Sequence, residues 1–191
     1  MSRTTNTRDR VLQTTWKLLE DGGASSVRMA DIAKAAQISR QALYLHFPNR
    51  AELLVATTRY LDEVHNVDTR LQESRTAETG TERLRAWIKA WGDYIPKIYG
   101  VAKALMVMED DDAKQAWDNR MQAVRHGCAA AVDQLAKDGS LADGLSRKKA
   151  TDLLWALLSV RVWEQLTQEC GWSQKSYIDH MTKTAEATLV K

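Results

Sequence analysis

The chain has 191 residues, 44% of them hydrophobic, with 27 Lys+Arg against 25 Asp+Glu and a net charge of +2. Folding a chain of this size buries roughly 70% of its unfolded surface, enough for a real core in one or two domains. Nine Gly and two Pro exclude a collagen-like or low-complexity chain, and two distant Cys, Cys128 and Cys170, give neither a disulfide framework nor a zinc spacing.

In chain order, the opening MSRTTNTRDR lacks the apolar core of a signal peptide, so a cytoplasmic protein with two ordinary thiols is expected. Val11, Thr15, Leu18 and Leu19 recur at i, i+4, i+7 and i+8, an amphipathic helix that Asp21-Gly22-Gly23 stops. A short helix from about Met29 to Ala36 places Met29, Ile32, Ala33 and Ala36 on one face. Ser39 reads as the N-cap of a helix from Arg40 to His46, since its oxygen can accept from an exposed amide of the next turn. Phe47-Pro48 ends that helix, because proline disfavours the α conformation in the residue before it. Asn49 with Glu52 has the capping-box pattern and opens a helix expected to run to about Glu73.

Polar Arg75 to Gly80 reads as a loop, and a domain boundary is placed near residues 65–80. Helices follow at about 81–95, 97–109, 112–137, 147–169 and 173–190, with Gly139, Gly144 and Gly171 at the breaks and Ser146 and Ser173 as N-caps. The longest strongly apolar stretch, Leu153 to Val160, stops at Arg161, far short of the ~20 residues of a membrane span. No stretch alternates with period two over strand length. The expected fold is all-α, about nine helices: a three-helix N-terminal domain over residues 1–56, a linking helix over about 49–73, and a helical bundle over 74–191.

Charge is uneven. Residues 1–50 hold eight Lys+Arg and four Asp+Glu, a surplus of +4, whereas residues 51–191 carry −2. A basic module that meets a polyanion is one reading. The first three helices, the last two joined by Gln37-Ile38-Ser39, add a helix-turn-helix pattern. Its second helix should bury Leu43 and present Arg40, Gln41, Tyr44 and His46. Arginine can fork onto guanine and glutamine onto adenine in the major groove. The hydroxyl of Tyr44 and the cation of Arg50 suit phosphate oxygens.

Gly23-Ala-Ser-Ser-Val-Arg-Met-Ala-Asp-Ile-Ala33, Ala36-Gln-Ile-Ser39, Leu43-Tyr-Leu-His-Phe-Pro-Asn-Arg50 and Leu53-Leu54 together resemble the DNA-binding region of the tetracycline-repressor (TetR/AcrR) family. A looser likeness to an effector-domain type of that family rests on Asp112 to Arg120 with Ala116-Trp117, Gly139-Ser-Leu, Asp152-Leu-Leu-Trp155, Ser159 and Glu169-Cys-Gly-Trp-Ser173. The resemblance implies a homodimeric transcriptional regulator, usually a repressor released from a palindromic operator by a small molecule. It implies backbone contacts at Arg28 and Ser39, base reading at Arg40, Gln41 and Ala42, and phosphate contacts at Tyr44, His46 and Arg50. Two positions depart from the family pattern: Gln37 stands where glycine is usual in the turn, and Arg28 where Ser or Thr usually caps. The helices at about 147–169 and 173–190 resemble the family's four-helix dimer interface, which points to Leu154, Leu158, Arg161, Ile178 and Met181; a monomer core would show the same stripes.

Competing chemistry is thin. Glu109-Asp110-Asp111-Asp112 could suggest a divalent cation, but consecutive helical residues point apart, and an acidic first turn suits the helix dipole. The four histidines are scattered, with no phosphate loop or nucleophile elbow, so no enzyme, metal or cofactor is expected. Seven Trp against one Phe is unusual. Trp87, Trp91 and Tyr94 at i, i+4 and i+7, then Met106, Trp117 and Met121, form a helical core or line an apolar effector pocket. Gln122 and Arg125 join Tyr94 as its candidate polar groups, and Trp155 as a further wall. Two rival functions remain: a ligand-sequestering or adaptor protein with a vestigial helix-turn-helix, and a cysteine-based redox sensor, which requires an exposed thiol of depressed pKa.

Overall fold

The computed structural model describes residues 6–22, 27–109 and 111–191; the expected stop at Gly23, the start of the Gly23–Ala33 motif and Asp110 lie outside them. Among the described residues the fold is all-α, and no helix is long and apolar enough to cross a membrane. Two compact units divide the chain, Met1–His65 with Ile98–Asn119 and Asn66–Lys97 with Arg120–Lys191.

In the first unit α1 (Thr7–Gly22) packs on α2 (Met29–Ala35) and α4 (Arg50–Val64), while α2 packs on α3 (Arg40–His46). Of the stripe read from the sequence, Val11, Thr15 and Leu19 are buried and Leu18 is half-buried, Leu12 joins the buried face, and Thr15 turns its hydroxyl back onto the carbonyl of Val11 at 2.8 Å. Leu53, Leu54, Thr57 and Leu61 supply the matching face of α4. Each such leucine contributes about 1.5–3 kcal/mol by leaving water. The segment from Ile98 onward in α7 (Ile95–Met106) belongs to this unit, where Gly100 meets the end of α1. A Cβ at Gly100 would lie 2.7 Å from the backbone C and O of Leu19, and its N–H donates to Glu20 Oε1 at 3.1 Å. Only the missing side chain permits that approach.

The second unit contains α5 (Val67–Thr76), α6 (Gly80–Gly92), α9 (Arg147–Leu157), α10 (Val160–Glu164), a π-helical turn Gln165–Glu169 and α11 (Gln174–Leu189). It also takes α8 (Asp111–Lys137) from Arg120 onward. Thr79 and Glu82 cap α6 reciprocally, and Ser146 and Ser173 cap α9 and α11 as expected. An isolated antiparallel bridge, Leu141 to Val190, ties the loop after α8 to the end of the chain.

Three expectations need correction. The single helix to Glu73 is two helices, because Asn66 adopts the left-handed region (φ 43°) and its side chain accepts from the N–H of Thr69. Asparagine tolerates that conformation through its short polar side chain. The helix over 147–169 is likewise interrupted: Ser159 is extended, its hydroxyl accepts from Val162 N–H at 3.2 Å, and the chain restarts as α10 before widening into the π turn. Finally, α5 continues through Arg75 and Thr76, leaving only residues 77–79 as loop.

Candidate nucleic-acid interface

The turn between α2 and α3 fixes how α3 is displayed. Gln37 has φ 56°, its N–H donates to Lys34 O and that of Ile38 to Ala33 O, so two otherwise orphaned carbonyls of α2 are satisfied. The left-handed geometry usually given to glycine is therefore kept by a residue with a Cβ. At the other end of α2, Arg28 supplies no side-chain cap; instead the carboxylate of Asp31 accepts from the Arg28 N–H at 3.0 Å and lies 3.5 Å from its Nε. The first-turn acid does the capping, and the guanidinium stays on the surface.

Ser39 caps α3, its hydroxyl accepting from Ala42 N–H at 3.0 Å. Leu43 and Phe47 anchor the helix in the core, and the Arg8 guanidinium lies 5.2 Å from the centroid of the Phe47 ring. Phe47 is extended (φ −141°, ψ 98°), which is the geometry Pro48 requires of it. Asn49 then caps α4 by accepting from Glu52 N–H at 2.8 Å, the half of the expected capping box that is formed. This sets Arg50 at the first position of α4, half-buried, with its pKa lowered by burial.

Arg28, Ser39, Arg40, Gln41, Tyr44 and His46 are exposed, and Ala42 is half-exposed. All belong to the first unit, and all but Arg28 and Arg50 lie on or cap one seven-residue helix. One exposed residue of that helix escaped the sequence reading. Leu45 is 81% exposed, and its pattern position is the unspecified one between Tyr44 and His46.

The effector candidates are distributed differently. Trp87, Trp91 and Tyr94 are buried in the second unit. Trp87 donates Nε1–H toward Cys128 Sγ at 3.4 Å, and its ring lies 2.1 Å from where a Cβ of Gly127 would stand. Trp91 donates to Leu158 O at 2.8 Å. The Tyr94 hydroxyl accepts from Arg120 at 3.0 Å, and the Arg70 guanidinium sits 3.4 Å from the centroid of its ring. Met121 and Trp155 are half-buried and Gln122 is exposed in the same unit, while half-buried Met106 and Trp117 belong to the other. Arg125 holds Asp152 at 2.5 Å, and with Lys148 it keeps that carboxyl below the usual carboxylate range. A cavity of about 280 Å³ lies in the second unit, lined by Leu71 and Ser74 of α5, Arg83 and Trp87 of α6, and His126 and Gly127 of α8. Of the sequence candidates, Trp87 lines it.

The candidate dimer residues also divide. Leu154, Leu158 and Met181 are already buried within the chain, Ile178 packs its side chain against Gly92, and Arg161 is exposed. Cys128 is fully buried, which pushes its thiol up to about 12, against the depressed value a redox sensor needs; Cys170 is exposed.

Residues 11–57 match the family described as bacterial regulatory proteins, tetR family. Over 169 residues, 82% of this chain and 76% of its relative, the sequence is 30% identical to the HTH-type transcriptional regulator CymR of Pseudomonas putida. The chain belongs to the tetR family. It is a transcriptional regulator of that family, with its helix-turn-helix in α2 and α3. Solved structures share the tetR fold along nearly the whole chain. A putative transcriptional regulator from Saccharomonospora viridis, in complex with choline, superposes with TM-score 0.81 at 21% identity, covering 96% of this chain and 97% of that one. AibR, in complex with isovaleryl coenzyme A and operator DNA, gives TM-score 0.71 at 17% identity over 94% and 97%.

Proposed function

We propose that this tetR-family protein is a homodimeric, ligand-responsive repressor that holds a palindromic operator through α3 and releases it when a small apolar or aromatic effector binds residues 74–191. The single observation that carries the reading is the outward face of α3. A helix with Leu43 completely buried projects Arg40, Gln41, Tyr44 and His46 into solvent between capped ends, without an acidic residue among them. Arg40 and Gln41 read base edges, with Ala42 close against them. Arg28, Ser39, Tyr44, His46 and Arg50 bear on the phosphates. Two copies set their helices about one DNA turn apart, ~34–36 Å.

Effector binding acts by favouring a different spacing. A coupling of about 1–3 kcal/mol changes DNA affinity about 5–150-fold. The effector's apolar contacts come from Trp87, Trp91 and Met121 of the second unit, with Tyr94, Gln122 and Arg125 as polar groups and Trp155 as a wall. Leu154, Leu158, Ile178 and Met181 act in the dimer as the packed support of α9 to α11, and exposed Arg161 reaches the partner.

Selection of duplexes from a random pool tests the reading. An inverted repeat with half-sites one turn apart is expected, bound by a dimer. Recovery of unenriched sequence would support the sequestering or adaptor alternative instead.

A further inference from the structure

We infer that Leu45 reads the 5-methyl group of a thymine in the major groove, as the apolar partner of the Gln41 amide. The inference rests on the DNA-reading role of α3 proposed above.

Leu45 is 81% exposed, against 49% for Tyr44, 48% for Val64, 57% for Val107 and 48% for Leu153, the other large hydrophobic side chains exposed among the described residues. A lone exposed leucine is ordinary on a protein surface. Its position is what matters. Leu43, 0% exposed, fixes the inward direction of α3. At ~100° per residue, Gln41 and Leu45 then lie about 20° to either side of the outward direction, and Ala42 and Tyr44 about 80° away. The middle of the outward face thus carries one amide and one isobutyl group, about 6 Å apart along the axis.

Leucine has no donor or acceptor, so neither a phosphate nor a polar base edge gives it a partner. Pressed on such an edge, it strips water from a group that then goes unpaired. The major groove offers one apolar feature, the C5-methyl of thymine, and apolar side chains read it. An α-helix with its side chains is about 10–12 Å across, so α3 fits lengthwise in a groove about 12 Å wide. A 6 Å offset is roughly two base-pair steps of ~3.4 Å, which places the thymine within two pairs of the base that Gln41 contacts.

The test uses the full chain and a duplex selected from a random pool. Each thymine is replaced by deoxyuridine, symmetrically in both half-sites, which removes one methyl and leaves every base-pair hydrogen bond. One replacement should weaken wild-type binding about three- to fivefold per half-site, the size expected for one buried methyl group. Leu45→Ala should bind the unmodified duplex more weakly and lose most of its sensitivity at that position, while Leu45→Met keeps it. Because the side chain is exposed, these variants should retain the wild-type thermal midpoint. A selected site at which no deoxyuridine affects wild type, or at which wild type and Leu45→Ala lose equally, overturns the inference and leaves the repressor reading standing. A pool that yields no preferred sequence overturns both.

Discussion

Gln37 carries a conformational cost that its neighbours hold in place. With φ 56° it occupies a region that costs a residue with a Cβ about 1–2 kcal/mol, yet its side chain is exposed and forms no part of the core. Gln37→Gly removes the strain and adds back some unfolded-chain entropy, so a net gain of about 0.5–1 kcal/mol is expected in urea unfolding; a lower midpoint would contradict the strain. Cys128 makes a second residue-level prediction. Its thiol is raised from 9.0 to about 12 by burial, with the Trp87 indole N–H pulling the other way. The unfolded chain gives up that proton above pH 9, whereas the folded chain keeps it until about 12. The stability it contributes is therefore complete below pH 9 and lost as pH rises toward 12. Between pH 8 and 10.5 wild type should lose on the order of 1–2 kcal/mol more than Cys128→Ala. Parallel losses would show that the thiol is not protected.

At the scale of elements, α7 comes close to the backbone of α1 at Gly100. A methyl there meets the backbone of Leu19 at 2.7 Å rather than a side chain that can swing away. Gly100→Ala should cost about 1–3 kcal/mol in urea unfolding, as overpacking does; an unchanged midpoint would mean that α7 moves off α1 freely. The elements themselves were unequally legible. The bounds of α3 were readable because Ser39 and Phe47-Pro48 are local signals, whereas the left-handed Gln37 was not: the resemblance marked it only as a departure from the usual glycine. The interruption at Leu158-Ser159 was hidden inside an apolar run whose periodicity continues across it, so the serine read as one more helical residue. At His65-Asn66 the helical pattern also runs on, and the asparagine cap became decisive only once its side chain had closed on Thr69. Nothing local announces the π turn at Gln165–Glu169, where the Cys170 N–H donates to Gln165 O. Leu45 went unread for another reason: hydrophobic side chains are assigned inward by default, although a ~100° step per residue from an inward Leu43 already turns this one outward.

For the molecule as a whole, the proposed function joins the basic surplus of the first fifty residues to the exposed face of α3. Base reading and phosphate holding are separable within it. Phosphate contacts set a salt-dependent affinity shared by all duplexes, whereas base contacts set the ratio between duplexes. The most direct measurement is therefore the ratio of affinities for the selected duplex and a scrambled one at fixed salt, in wild type and in Gln41→Ala. A contact to a base edge predicts that this ratio falls by about 1–3 kcal/mol, roughly 5–150-fold, while binding to the scrambled duplex stays the same. A ratio left intact in Gln41→Ala, with both duplexes weakened alike, would contradict base reading by α3.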